Sequence, residues 1–215
     1  MRLKTVFVMG AFVVAGGLFI AYTLTKTDEK PKVSPKVQVV KKVVEPNKEW
    51  KDLSGASDGD VADFPTNAKE WIAYNVNKFS EPDPRGANAK FDEGYDYYLK
   101  ATSVSNAMGR YIRVEGGDLK KDFRNLSILA LLIDHLQFVR TADIDPNGKA
   151  KDRTEYVKQW KPVDEEMRRA YEYMTKLLND IDVAINKDGK GKTFGVSHQL
   201  NGEATNEMES FIAGR

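Results

Sequence analysis

Beyond residue 64 the chain alternates between segments whose apolar residues recur every three or four positions and short stretches rich in Gly, Pro, Asp and Asn. A three-to-four spacing lines side chains along one face of an α-helix. Thr66 is placed to cap a first helix carrying Trp71, Ile72, Val76 and Phe79, which Pro82 and Pro84 end. A second helix is expected from Ala87 to Arg113, with Phe91, Tyr95, Tyr98, Leu99, Met108 and Ile112 on its apolar face and Gly116-Gly117 as its stop. Asp118 suits the N-cap of a third helix, whose stretch NLSILALLIDHLQFV is the most hydrophobic part of this region and is expected to be walled by neighbours at the centre of the fold.

Pro162 is expected to start a fourth helix, in which Val163, Met167, Ala170, Tyr171, Met174, Leu177, Leu178, Ile181 and Ile185 keep the period. A short helix near Glu203 to Ile212 closes the chain, and GKTFGVSHQL, residues 191–200, is the only stretch that admits a strand. The spacing therefore predicts a mainly α fold, a four-helix-bundle-like head over residues 64–215 with a short C-terminal helix.

The opening of the chain follows a different rule. Between Lys4 and Lys26 no residue is charged, and a helix of that length matches a hydrocarbon core of about 30 Å. A cleavable signal peptide usually has a shorter apolar run ending in a small-x-small site, and Ala21-Tyr22-Thr23 ends poorly for one. Residues 1–25 are therefore expected to form a single transmembrane anchor. The pairs Ala11/Ala15 and Gly17/Ala21 let two such helices approach closely, so weak homo-oligomerisation through the anchor belongs to the expectation, although such residues are ordinary in membrane spans.

Charge refines this layout. From Lys26 to Lys51 eight Lys face four acids, whereas from Asp52 to the end 23 basic residues face 28 acidic ones. A basic stalk thus carries an acidic head, and with no basic cluster in the head nucleic acid is not an expected partner. Pro31, Pro35 and Pro46 favour extended backbone, so residues 26–63 read as a Lys/Pro-rich and polar tether. The lysines after the apolar run argue for a cytoplasmic head by the positive-inside count, while the MRLK start argues for a head outside. The reading adopted is a single-pass cell-membrane protein with its head extracytoplasmic.

Candidate chemistry is sparse. Residues Asp143 to Glu155 begin like a calcium loop, but Thr154 stands where the bidentate acid belongs and Lys149, Lys151 and Arg153 oppose a cation, so an ordinary turn is the expectation. His135, beside Asp134, and His198 have nothing in the sequence to join them, and the paired acids Asp92-Glu93 and Glu165-Glu166 point different ways on a helix. With no cysteine, thiolate chemistry and disulfides are excluded. No catalytic, cofactor or metal residue is assigned, and an enzyme is not expected. Tyr95, Tyr97, Tyr98, Tyr111, Tyr156, Trp160, Tyr171 and Tyr173 are numerous for a core, and Tyr97 and Tyr173 on the polar sides are the first candidates for a partner surface. The sequence thus points to an interaction or scaffold protein docking a protein partner at the membrane; the alternative is a binding module holding a small ligand between the third and fourth helices.

Overall fold

The computed structural model describes residues 49–55, 65–82, 91–141 and 154–214. The chain divides into two units, 1–45 and 46–215, and every described residue belongs to the second. The expected anchor over 1–25, most of the tether, and residues 142–153 of the calcium-like loop lie outside the described residues. Among those described, no helix is long and apolar enough to cross a membrane.

The fold is mainly helical. In chain order the elements are β1 (Lys51–Asp52), α1 (Ala68–Phe79), α2 (Glu93–Arg110), β2 (Val114–Glu115), α3 (Leu119–Thr141), a 3-10 turn (Thr154–Gln159), α4 (Glu165–Asn186) and α5 (Thr205–Ala213). Three helices start at a side-chain cap: Asn67, Asp92 and Asp164 accept from the backbone N–H of Glu70, Tyr95 and Met167, satisfying donors that the first turn leaves open. The cap of α1 is therefore Asn67 rather than Thr66. Helix α4 starts at Glu165, three residues after Pro162.

Helix α3 lies at the middle, packed against α2 and α4, while α1 packs on α4. Leu126, Leu129 and Ile133 of α3 meet Met174, Leu177, Leu178 and Ile181 of α4 in one buried cluster, each such side chain contributing about 1.5–3 kcal/mol. Helix α2 faces this core with small residues. Gly94, Ala101, Val104 and Ala107 are buried together with Lys100, and a Cβ on Gly94 would come within 2.7 Å of Val163. The large side chains expected on its apolar face, Tyr95, Tyr98, Leu99 and Met108, are only half-buried on the flanks. The core is narrow here because α2 approaches closely, and close approach favours side chains without bulk.

Helix α2 also ends before Arg113. Residues 51–55 lie along 111–115: Lys51 and Asp52 pair antiparallel with Glu115 and Val114, the Leu53 N–H donates to Arg113 O, and the Gly55 N–H to Tyr111 O. Gly116, at φ +94°, then turns the chain beneath Glu49, whose carbonyl oxygen a Cβ would meet at 2.7 Å. The carboxylate of Asp52 accepts from the Ala68 N–H at 2.7 Å and so reaches the start of α1.

Residues 191–200 form no strand, contrary to the sequence pattern. Their donors turn inward to carboxylates instead. Asp180 of α4 accepts from the N–H groups of Phe194 and Val196, and Asp122 of α3 from the Ser197 hydroxyl and the N–H groups of His198 and Gln199. The carbonyls of Gly195 and Ser197 accept from Ala204 and Gly202. With these donors and acceptors turned inward, the stretch builds no ladder.

Candidate functional site

Two neighbouring features of α3 stand apart from simple core packing: a polar cleft near its start and an open apolar face along its second half.

The cleft is built on Asp122. This carboxylate sits on the same face as Leu119, Phe123, Leu126 and Leu129 and is fully buried. Burial pushes its carboxyl up to about 6, against the pull of the Ser197 hydroxyl and the Gln199 and His198 amides. Through these bonds it fixes the loop and places the His198 ring, whose Nε2 lies 2.7 Å from Glu209 Oε1 of α5. Asn125 donates to the same oxygen at 3.0 Å, and this bond, with His198 and Lys121, holds the Glu209 carboxyl below its usual range despite partial burial. Lys121, Arg124, Ile128 and Ile212 complete an open cleft of about 420 Å³. Lys121 is bound to Asp118 at 2.8 Å, whereas Arg124 is exposed.

Among the described residues, the arrangement orients the imidazole but brings no hydroxyl to it as a nucleophile. Ser197, the nearest hydroxyl in sequence, is buried and donates to Asp122. Chemically the cleft offers hydrogen bonds and charge at a surface.

Beyond Ile128 the exposed side of α3 becomes apolar. Leu131 is 56% exposed, Phe138 64% and Val139 45%, with His135 exposed between them. The expectation that this helix is walled on all sides therefore holds on the α2 and α4 sides and fails on this one. Asp134 looks toward α2 and accepts from the hydroxyls of Thr102 and Ser105. Burial raises its carboxyl while these two bonds lower it, leaving it above the usual range.

The sequence candidates are dispersed. His135 lies on the open face and His198 in the cleft, and no bond joins them. Asp92 caps α2 and pairs with Arg140, which also stands over Trp160; Glu93 pairs with Arg168 at 2.7 Å. Tyr173, expected on a partner surface, is only 6% exposed because it packs on Phe211 and gives its hydroxyl to Glu207. Tyr97 stacks on Tyr171 with centroids 4.0 Å apart and donates to Glu93; burial first, then the hydrogen bond and charge of Glu93, push its hydroxyl up to about 12. Tyr95 and Trp160 belong to a stack with Phe91. Among the described residues no group of three or more His, Asp or Glu is gathered to hold a metal ion.

Sequence reasoning missed Asp122, Asn125 and Glu209. The one available signal was an acid at a core position of the most apolar helix. No protein-family model, curated protein or solved structure matches the chain.

Proposed function

We propose that the chain is a membrane-anchored interaction protein. Residues 1–25 hold it in the lipid as a single-pass anchor with the head outside the cytoplasm, residues 26–48 act as the free spacer, and the helical head docks a protein partner near the surface. The observation that carries this reading is the open apolar face of α3, where Leu131, Phe138 and Val139 stand in solvent on the helix that otherwise supplies the centre of the core. Three neighbouring apolar side chains at one helix surface are what a docking site displays before its partner arrives. The small-ligand alternative receives less support, because the side chains meeting between α3 and α4 belong to one packed cluster.

Crosslinking in intact cells followed by affinity capture of the full chain tests the proposal. An adduct that depends on Leu131 and Phe138 is expected; a head that stays free at native levels speaks against it. Protease added to intact cells should cut a head that lies outside, and protection until lysis would reverse the orientation.

A further inference from the structure

We propose that the groove beside β1 seats the head on an anionic lipid surface, with Leu53 entering the lipid and Arg113 and Arg124 meeting its negative headgroups. This goes beyond the docking reading above and borrows only its anchor, which brings lipid within reach.

The groove lies between the β1–β2 pair, the end of α2 and the first turns of α3, and encloses about 480 Å³. Its floor is apolar, with Ile112 and Phe123 buried and Met108 half-buried. At its edge Leu53 is 57% exposed. The Leu53 N–H is bonded to Arg113 O, so fixed backbone holds this apolar side chain out in solvent.

Three cations, Arg113, Lys120 and Arg124, stand around this strip against one acid, Glu115. Lys120 neutralises Glu115 at 2.6 Å. Arg113 and Arg124 are exposed, and neither guanidinium has a hydrogen-bond or ion-pair partner among the described residues. From Asp52 to the end of the chain 28 acids face 23 basic residues, so the head as a whole repels an anionic surface and this groove is where one is attracted. A protruding aliphatic side chain beside free guanidinium groups matches the two layers of a lipid surface, hydrocarbon beneath phosphate. The guanidinium fork also fits phosphate oxygens better than a point charge does.

The place of the groove in the chain favours lipid over an acidic protein, which would offer similar charges. Trp50 packs against the core, so the chain arriving from the apolar opening is fixed three residues before Leu53. Its last stretch, Lys26 to Lys51, carries eight Lys against four acids and is drawn to the same surface. As flexible coil that stretch spans about 25–30 Å, which keeps the groove close to the lipid that holds the anchor.

The chain contains no cysteine, so Leu53→Cys in the full chain takes a single environment-sensitive fluorophore. The labelled chain is reconstituted into vesicles of phosphatidylcholine alone or with phosphatidylglycerol added. Emission at position 53 is expected to rise about threefold with phosphatidylglycerol and to be quenched by nitroxide-labelled acyl chains. The same label at Glu172→Cys, exposed on α4, should not respond. Arg113→Gln with Arg124→Gln should lower the ratio of seated to free heads about thirtyfold, the weight of two cations at an anionic surface. High salt should weaken seating of the unsubstituted head in the same direction, without any change to its fold. No rise with phosphatidylglycerol, an equal rise on phosphatidylcholine alone, or a rise that survives both substitutions overturns the proposal. A rise produced by polyglutamate and not by phosphatidylglycerol assigns the groove to an acidic protein and overturns it too. Carbonate-resistant flotation with phosphatidylcholine vesicles reports the anchor separately: its loss overturns the anchor, while the label still reads the groove when vesicles are added to the chain.

Discussion

At the scale of single residues, Asp122 is the sharpest departure from a simple apolar helix. Its folded carboxyl holds a proton up to about 6, against 3.8 for the ordinary group. Between those values the folded state binds more protons than the unfolded one, so the stability attributable to Asp122 rises as pH falls from 7 toward 4 and levels off below. When the carboxyl is protonated, the Ser197 hydroxyl can turn from donor to acceptor. We expect wild type to gain on Asp122→Asn by about 2 kcal/mol between pH 7.5 and pH 4.5, measured by denaturant unfolding of the 46–215 unit. A difference that moves the other way would mean that the three donors outweigh burial. Gly202 gives a second residue-scale expectation. A Cβ there would collide with the carbonyl oxygen of Gly195, backbone that cannot swing aside, so Gly202→Ala should cost about 3 kcal/mol in the same assay. Neither feature was legible beforehand, because an acid in a helix and a Gly in a loop acquire meaning only from contacts made far along the chain.

The elements show where reading by period succeeds. Helices α3 and α4 bury large side chains at three-to-four spacing, and both were legible for that reason. Helix α2 was legible as a helix but not by face, since its contact surface is Gly, Ala and Val while its Tyr and Met residues ride on the flanks. The 191–200 stretch has strand-like composition, yet Asp122 and Asp180, from other elements, take its donors. Helix α3 allows the two roles of an apolar residue to be separated by experiment. Leu129 is fully buried, and Leu129→Ala should lose about 2–5 kcal/mol. Leu131→Asp, two positions away on the open side, should change stability by no more than about 0.5 kcal/mol, while the partner adduct that depends on Leu131 and Phe138 disappears. Thermal unfolding and crosslinking of the same two variants test this. Loss of stability in both would make the open face part of the core and remove its candidacy as a docking surface.

At the scale of the whole molecule, the question is where the spacer ends and the head begins. Composition places the boundary after the polar run 54–65, but hydrogen bonding places 51–55 within the head, because Leu53 and Gly55 donate to Arg113 and Tyr111 and Asp52 reaches the first turn of α1. Short extended pairings are hard to see in sequence, since two paired residues carry no usable period. The consequence is mechanical: a pull on the proposed spacer is resisted by the bonds that residues 52–55 make to two separate segments. Asp52→Ala removes the acceptor for both the Ala68 and Ser54 N–H groups and should cost about 1 kcal/mol. Removing residues 46–55 altogether also uncovers Ile112 and Val114, which are buried in the intact fold, and should cost several times more. Hydrogen exchange separates this arrangement from a loosely draped tether. In the intact chain the Leu53 and Gly55 amides should exchange far more slowly than ordinary linker amides, and in Asp52→Ala that protection should fall while the amides of Leu129 and Leu177 stay protected. Fast exchange at Leu53 and Gly55 in the intact chain would return the boundary to the polar run and detach the spacer from the fold.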